Sequence, residues 1–492
     1  MVLYSVGRVS DPIRPSRFVV NVGLPLSNFS LLASNPAAGW LLLRRPRPAE
    51  MTPIFSRLKF PKPLALLFSL LLVLSLAVFS WAGHAKSLSS KQRLKLFDQV
   101  WQMVNERYYD PSFNGVDWKA LRQRYRPRVA AAISDEAFYS LLKEMTGQLH
   151  DAHTRFRSPE ERQRSDKSQA STPGIAVGEL DGNPVVITVD PDSEAARAGV
   201  GPGMIVSTVD GVPFAERLEQ VREEVGTSSS KRATALMSYH RILTGEPESS
   251  VRLGLLRSDG TVLNVTLIRH IVPLARPVIT RQLPSGYVYL RFGMFDEQAA
   301  REFKDALASA NRAPGIVIDL RGNPGGDLQT ALRIADGFFG EKVSFGKVIS
   351  RSGKAPSLLL RILGVPSQLE VGHPGGQVYS GRVVILVNEG SGSDAELFSA
   401  GMQENGRAAV VGRQTCGCVL ASIAHHVKGG GELDISEFNI LTAKGKRLEG
   451  TGVVPDVPVP LTLEDLRRHY DATLREAVAI LNSSTATKSA VR

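Results

Sequence analysis

Residues 383–402 read VVILVNEGSGSDAELFSAGM. The apolar run Val383–Val387 is long enough for a buried strand and too short for a globular helix. Gly390 and Gly392 supply a tight turn. Ala395, Phe398 and Met402 then recur at spacings of three and four, which places them on one helix face. A strand, a tight turn and a helix form the repeating unit of a layered α/β domain. Ser393 falls at the turn. There the positive end of the helix favours an oxyanion, and the Asp394 N–H can point at it. A plainer reading makes Ser391 or Ser393 an N-cap, and this stretch alone does not separate the two.

The same grammar recurs around it. YVYLRF at 287–292 and GIVIDL at 315–320 are short apolar runs, and DLQTALRIADGFFG at 327–340 reads as a helix. Residues 317–327, VIDLRGNPGGD, put a glycine-rich turn after a buried strand. Such a turn exposes N–H groups that hold an oxyanion or a phosphate. No Lys-Ser/Thr follows, so the phosphate-loop reading fails, and with it a polyphosphate binder.

Upstream, residues 91–150 carry helical periodicity. Phe97, Val100, Trp101, Val104 and Tyr108 share one face, and Ser134 is placed to cap a second helix. The polar stretch 158–172 reads as a linker. From Gly174 to Phe214, short β-branched runs alternate with Gly, Pro and Asp turns, and a short helix ends at Gly199. A helical insertion is expected at about 214–245. Residues 251–272 form a hairpin with its turn at Asp259-Gly260. Residues 464–481 read as one closing amphipathic helix.

Composition excludes several classes. Hydrophobic residues at 43% and charged residues at 22% are those of a globular protein, and 492 residues suffice for two or three domains. The net charge is +11, but residues 1–62 hold nine Lys or Arg against two acids, Asp11 and Glu50. No basic stripe interleaved with aromatics marks a nucleic-acid partner. Residues 64–82 are uncharged, follow Arg57, Lys59 and Lys62, and precede Gly83-His84-Ala85. That is the layout of a signal peptide, and the run is long enough to anchor in a membrane if uncut. Met51 stands where an ordinary signal would begin. The two cysteines, Cys416 and Cys418, are too few for a disulfide framework. They could form a C-x-C bridge in an oxidising compartment. The scattered histidines, including the adjacent His425 and His426, give no zinc spacing and no metal site.

Six landmarks occur in order over residues 95–460. They are a helical cap, Asp151-Ala152-His153-Thr154, a module opening Gly174-Ile175-Ala176-Val177, DLRGNPGG, GSGSDAE and GTGVVPDVPV. Together they resemble peptidase family S41, which includes the carboxyl-terminal processing peptidases and the tricorn-type proteases. The resemblance implies a multi-domain α/β fold. A leader spans 1–85, a helical cap domain 86–160 and a PDZ-like β domain 168–272. A layered α/β protease core of the ClpP/crotonase-like type spans 273–460, with a C-terminal helix and tail at 461–492. It also implies Ser393 as nucleophile and the N–H groups of Gly326 and Asp394 as oxyanion donors. Gly174, Ile175, Ala176 and Val177 would receive a substrate C-terminus. No cofactor is implied, and the expected partners are polypeptides with exposed C-termini.

One landmark departs from the pattern. Processing peptidases place a lysine after the glycine of T-x-G-K, and here Thr415-Cys416-Gly417 is followed by Cys418. The Ser–Lys dyad is therefore absent. The tricorn-type branch uses a histidine before the PDZ segment, which makes His153 the candidate base. Ala152 replaces that branch's preceding serine, and Glu449 is the candidate for orienting the imidazole. The competing expectation is an S41 homologue without catalysis that binds peptide C-termini.

Overall fold

The parallel strands Gly315–Asp319 and Arg382–Val387 lie side by side at the middle of a six-stranded sheet. Its order is Ile279–Gln282, Val288–Arg291, Gly315–Asp319, Arg382–Val387, Ala409–Gly412 and Val457–Pro458. Only the first pair is antiparallel. Alternate residues serve opposite faces. Ile316, Ile318, Ile385 and Val387 join the largest core with Phe295, Phe303 and Phe398. Val317, Val384, Leu386 and Val411 pack against Ala477 and Leu481 of the C-terminal helix. Burial on both faces explains why these strands read as unbroken apolar runs. Adjacent parallel strands also deliver their C-terminal loops to one place, so the GNPGG and GSGS turns meet.

This is a computed structural model. It describes residues 87–489 apart from 167–168, 274–275, 285, 363 and 376–377. The expected leader, with its apolar run 64–82, lies outside the described residues. Among those described, no helix is long and apolar enough to cross a membrane.

A second sheet is built on the long strand Glu432–Thr442. It pairs antiparallel with Leu420–His426, Val343–Ser350 and the three-residue strand Arg155–Arg157. Arg155 is registered opposite Asp434, which fixes the segment just before it, including His153. Arg157 ion-pairs with both Glu432 and Asp434. Helices Ser90–Arg107, Trp118–Ala130 and Asp135–Gly147 cover this region. Each is capped by a side chain, from Ser89, Asp117 and Ser134 respectively. Trp101 and Trp118 each donate an indole N–H to the other's backbone carbonyl, at 2.8 and 3.1 Å. The helices bury Phe97, Val104 and Leu142 against Phe156, Leu433 and Ile435.

Residues 169–273 form a separate sheet with its own core, which includes Val186, Val206, Leu255 and Tyr239. Its strand order is Ile175–Leu180, Asn183–Val189, Ile205–Val209, Ser250–Leu256 and Val262–Ile268. Helices Phe214–Val225 and Lys231–Leu243 are inserted between the third and fourth of these. The ribbon Gln169–Thr172 with His270–Pro273 closes the segment at its base.

Two local expectations need correction. The stretch 158–172 holds a helix, Pro159–Asp166, and the strand Gln169–Thr172. The Ser158 hydroxyl accepts the Glu161 N–H, and the Glu161 carboxylate accepts the Ser158 N–H, a capping box that polarity alone conceals. The closing helix is two helices, Leu463–Arg467 and Ala472–Ser489. His469 breaks it at φ +51°, and Asp471 caps the second helix while accepting Arg321.

Candidate active site

Ser393 stands at the N-terminus of helix Asp394–Glu404 with φ +51° and ψ −119°. That left-handed conformation is costly for a residue with a Cβ and persists only where the surroundings over-determine it. Here they do. Ser391 donates to the Leu320 carbonyl at 2.7 Å, and Gly392 N–H donates to Asn323 O at 3.0 Å. Asn388 Oδ1 accepts from Gly322 and Gly390. Ser393 N–H reaches Cys418 O at 3.1 Å. The two strand-end turns are thus laced together, and the hydroxyl is presented at the helix tip.

His153 Nε2 lies 3.5 Å from Ser393 Oγ, across 240 residues of sequence. The side chain is 3% exposed. Burial pushes its pKa down to about 4, opposed by the nearby Asp151 charge and reinforced by Arg155. The ring is therefore neutral near pH 7 and free to accept a proton. Asp151 Oδ1 fixes the segment by accepting the N–H groups of His153 (2.8 Å) and Thr154 (2.6 Å) and the Ser436 hydroxyl (3.0 Å). Nδ1 of the imidazole has no hydrogen-bond partner. Glu449 does not supply one. Its carboxylate accepts Val419 N–H at 2.7 Å. Burial raises its pKa to about 8, with Ser229 opposing and the Asp151 charge adding.

The loop 415–419 occupies the position of the missing lysine. Cys416 and Cys418 are joined by a disulfide, and both are fully buried. Glu396, on the first turn of the serine's helix, gathers this loop. Its carboxylate accepts Thr415 Oγ1 at 2.5 Å, Gly417 N at 2.7 Å, Cys418 N at 2.9 Å and Ser393 N at 3.1 Å. Burial nonetheless raises its pKa to about 7. Glu396 and the two sulfurs lie within 4.8 Å of one another. The sulfurs are bonded to each other and the carboxylate is fully engaged, so the set does not suit a metal.

Gly326, at φ +152°, runs against Phe295, and a Cβ there would meet the Phe295 carbonyl oxygen at 2.2 Å. Gly325 comes as close to Ser393, where a Cβ would lie 2.7 Å from the serine Cβ. The two glycines let the turn lie directly on the serine. Burial, then the Asp327 charge, raises the Asp394 carboxyl to about 7. A pocket beside Ser393, His153 and Asp394 is lined by Leu328, Val419, Leu420 and Ile440.

Gly174, Ile175, Ala176 and Val177 lie far along the chain from this cluster, at the start of the outermost strand of the 169–273 sheet. Ile175 and Val177 are buried and Ala176 is exposed. Ser193 fills the space where a Gly174 side chain would go.

Sequence reasoning missed Glu396, Asp151 and Ser229. The first left a signal: Ser393-x-x-Glu396 is a capping-box pattern. The other two act through partners 285 and 77 residues away, which no local pattern reports.

Comparison with known proteins follows the same division. Residues 89–147 match the Tricorn protease C1 domain. The carboxyl-terminal-processing protease of Synechocystis sp. is 27% identical over 446 residues, which is 86% of this chain and 94% of that protein. The chloroplastic carboxyl-terminal-processing peptidase 3 of Arabidopsis thaliana is 24% identical over 427 residues, 83% and 76% of the two chains. In fold the chain is similar to mature CPAF solved with lactacystin, with a TM-score of 0.60 at 14% identity, over 80% of this chain and 99% of that one. The segment that carries Ser393, Gly326, Glu396 and Glu449, residues 286–459, matches peptidase family S41.

Proposed function

We propose that this chain is an exported serine endopeptidase that cuts unfolded or C-terminally exposed polypeptides. The observation that carries the proposal is the 3.5 Å approach of His153 Nε2 to Ser393 Oγ, at a strained turn between two interlaced loops. Similarity to proteins named carboxyl-terminal-processing proteases supports the substrate class. Export rests on the charge pattern around residues 64–82.

In this reading neutral His153 takes the Ser393 proton as Oγ attacks the scissile carbonyl. The tetrahedral oxyanion is held by the N–H groups of Gly326 and Asp394. His153 then passes the proton to the leaving amine, and water resolves the acyl-enzyme by the same route. The apolar pocket beside Ser393 takes the side chain before the cut. The edge of strand Leu420–His426, which among the described residues pairs only with Glu432–Thr442, accepts the substrate backbone. The 169–273 segment acts as a PDZ domain, with Gly174–Val177 receiving the terminal carboxylate.

The test is cleavage of an unfolded protein by the purified chain, read by mass spectrometry. Ser393→Ala and His153→Ala should each lose at least a thousandfold in rate while remaining folded, about the scale seen when one member of a catalytic triad is removed. If all three proteins are equally silent across substrates and pH, the protease reading fails.

A further inference from the structure

The two halves of the proposed catalytic pair are far apart in sequence, and no direct hydrogen bond between their backbones is evident. An indirect route exists, and it runs through the inserted segment. Ala152, next to His153, donates its N–H to Ser229 Oγ at 3.0 Å. The next residue, Ser230, donates to the Cys416 carbonyl, and in the same loop Cys418 O accepts Ser393 N–H at 3.1 Å. Ser229 and Ser230 thus stand between the base and the loop that holds the nucleophile.

Neighbours of Ser229 hold it in place. Thr227 Oγ1 bonds His150 Nδ1 at 2.6 Å. Ser230 donates to the Cys416 carbonyl. Arg232 donates to the carbonyls of Thr415 at 2.7 Å and Thr451 at 2.6 Å. Ala233 packs on Cys416 and Cys418, with Ala152 against the same cluster. Residues 227–233 therefore touch the His150–Ala152 segment, the 415–418 loop and Thr451. The Ser229 hydroxyl oxygen is the acceptor for the Ala152 amide, a role an alanine side chain cannot fill.

We propose that Ser229 is a positioning residue of the peptidase, supplied by the 169–273 segment, that sets the approach of His153 to Ser393. This rests on the peptidase reading above. Ser229 touches neither substrate nor the reacting atoms, so its loss acts on the population of aligned pairs and not on substrate affinity.

The experiment compares the full chain with Ser229→Ala and Ser229→Thr, with Ser393→Ala as the blank. Steady-state cleavage of an unfolded protein is measured, together with hydrogen exchange at the Ala152 amide. The expected result for Ser229→Ala is a kcat lowered at least tenfold, KM within twofold of wild type, and faster exchange at Ala152. Ser229→Thr, which keeps the hydroxyl, should recover most of kcat and the amide protection. Unchanged kcat in Ser229→Ala would overturn the proposal. So would an equal loss in both variants, since that makes the site sensitive to bulk and not to the hydroxyl. If the wild type is as silent as the blank, the peptidase reading falls and exchange alone decides: unchanged protection in Ser229→Ala overturns the bonding role, and lost protection upholds it.

Discussion

At the scale of single residues, Gly326 and Glu449 give the sharpest tests. A methyl at Gly326 would meet the Phe295 carbonyl at 2.2 Å, so the turn must swing away. Gly326→Ala should lower kcat by about a hundred- to a thousandfold, the loss typical of one oxyanion donor, and should lower the melting temperature as well, because the clash is with backbone. Glu449 predicts a pH effect on stability. Its folded pKa of about 8 lies above its unfolded value, so the folded state holds the extra proton. Its contribution is fully present at low pH and is lost as pH rises from about 4.5 towards 8. His153 runs the other way: its folded value of about 4 is depressed, so stability is lost as pH falls from about 6.5 towards 4. Glu449→Gln removes the first dependence only. Its melting temperature, relative to wild type, should therefore climb between pH 5 and pH 8; a constant difference would mean that the carboxyl does not titrate in that window.

At the scale of elements, the loop 415–419 holds a disulfide where the resemblance expects a lysine. Closing so short a loop by a disulfide is worth only about 1–2 kcal/mol in chain entropy, so its effect should fall on placement more than on global stability. Cys418 O holds Ser393 N, and Gly417 and Cys418 are held by Glu396. Cys416→Ser/Cys418→Ser should melt within a few degrees of wild type yet cleave severalfold more slowly; equal rates would show that the bridge is incidental. How much of this the sequence reveals depends on distance along the chain. The strand Arg382–Val387, its turn and its helix are legible because their signals sit within twenty residues and agree in period and turn chemistry. The pairing of His153 with Ser393 is reached only through resemblance to a family, since it depends on Arc-length contacts made by strand Arg155–Arg157 against Asp434. The bond from Ala152 to Ser229 is illegible because it joins segments with no common periodicity.

At the scale of the whole molecule, Arg157 is the fastening of the helical layer to the second sheet. It pairs with Glu432 and Asp434, all three largely buried. Arg157→Ala would remove the cation that the two carboxylates share, leaving Asp434 to Arg155 and Glu432 to Arg162, a loss of up to about 3 kcal/mol. The loss should appear as a melting temperature several degrees lower, and cleavage should fail at a lower temperature than the global transition, because His153 hangs from that strand. The 169–273 segment makes a separate prediction. A peptide with an apolar C-terminal residue should bind the chain, and amidation of its terminus or Gly174→Ala, which strikes Ser193, should weaken binding as read by fluorescence anisotropy.

The order of the site along the chain has a consequence for how the protein is made. His153 leaves the ribosome 240 residues ahead of Ser393, and Glu449 follows later still. At about 5–20 residues per second, the base waits roughly 12–50 s for its nucleophile. Until then the growing chain has no aligned pair with which to cut itself or its neighbours. A product that stops short of residue 393 lacks the serine altogether. On the proposed reading, the long separation of base and nucleophile would act as a safety catch, released only by completing the fold.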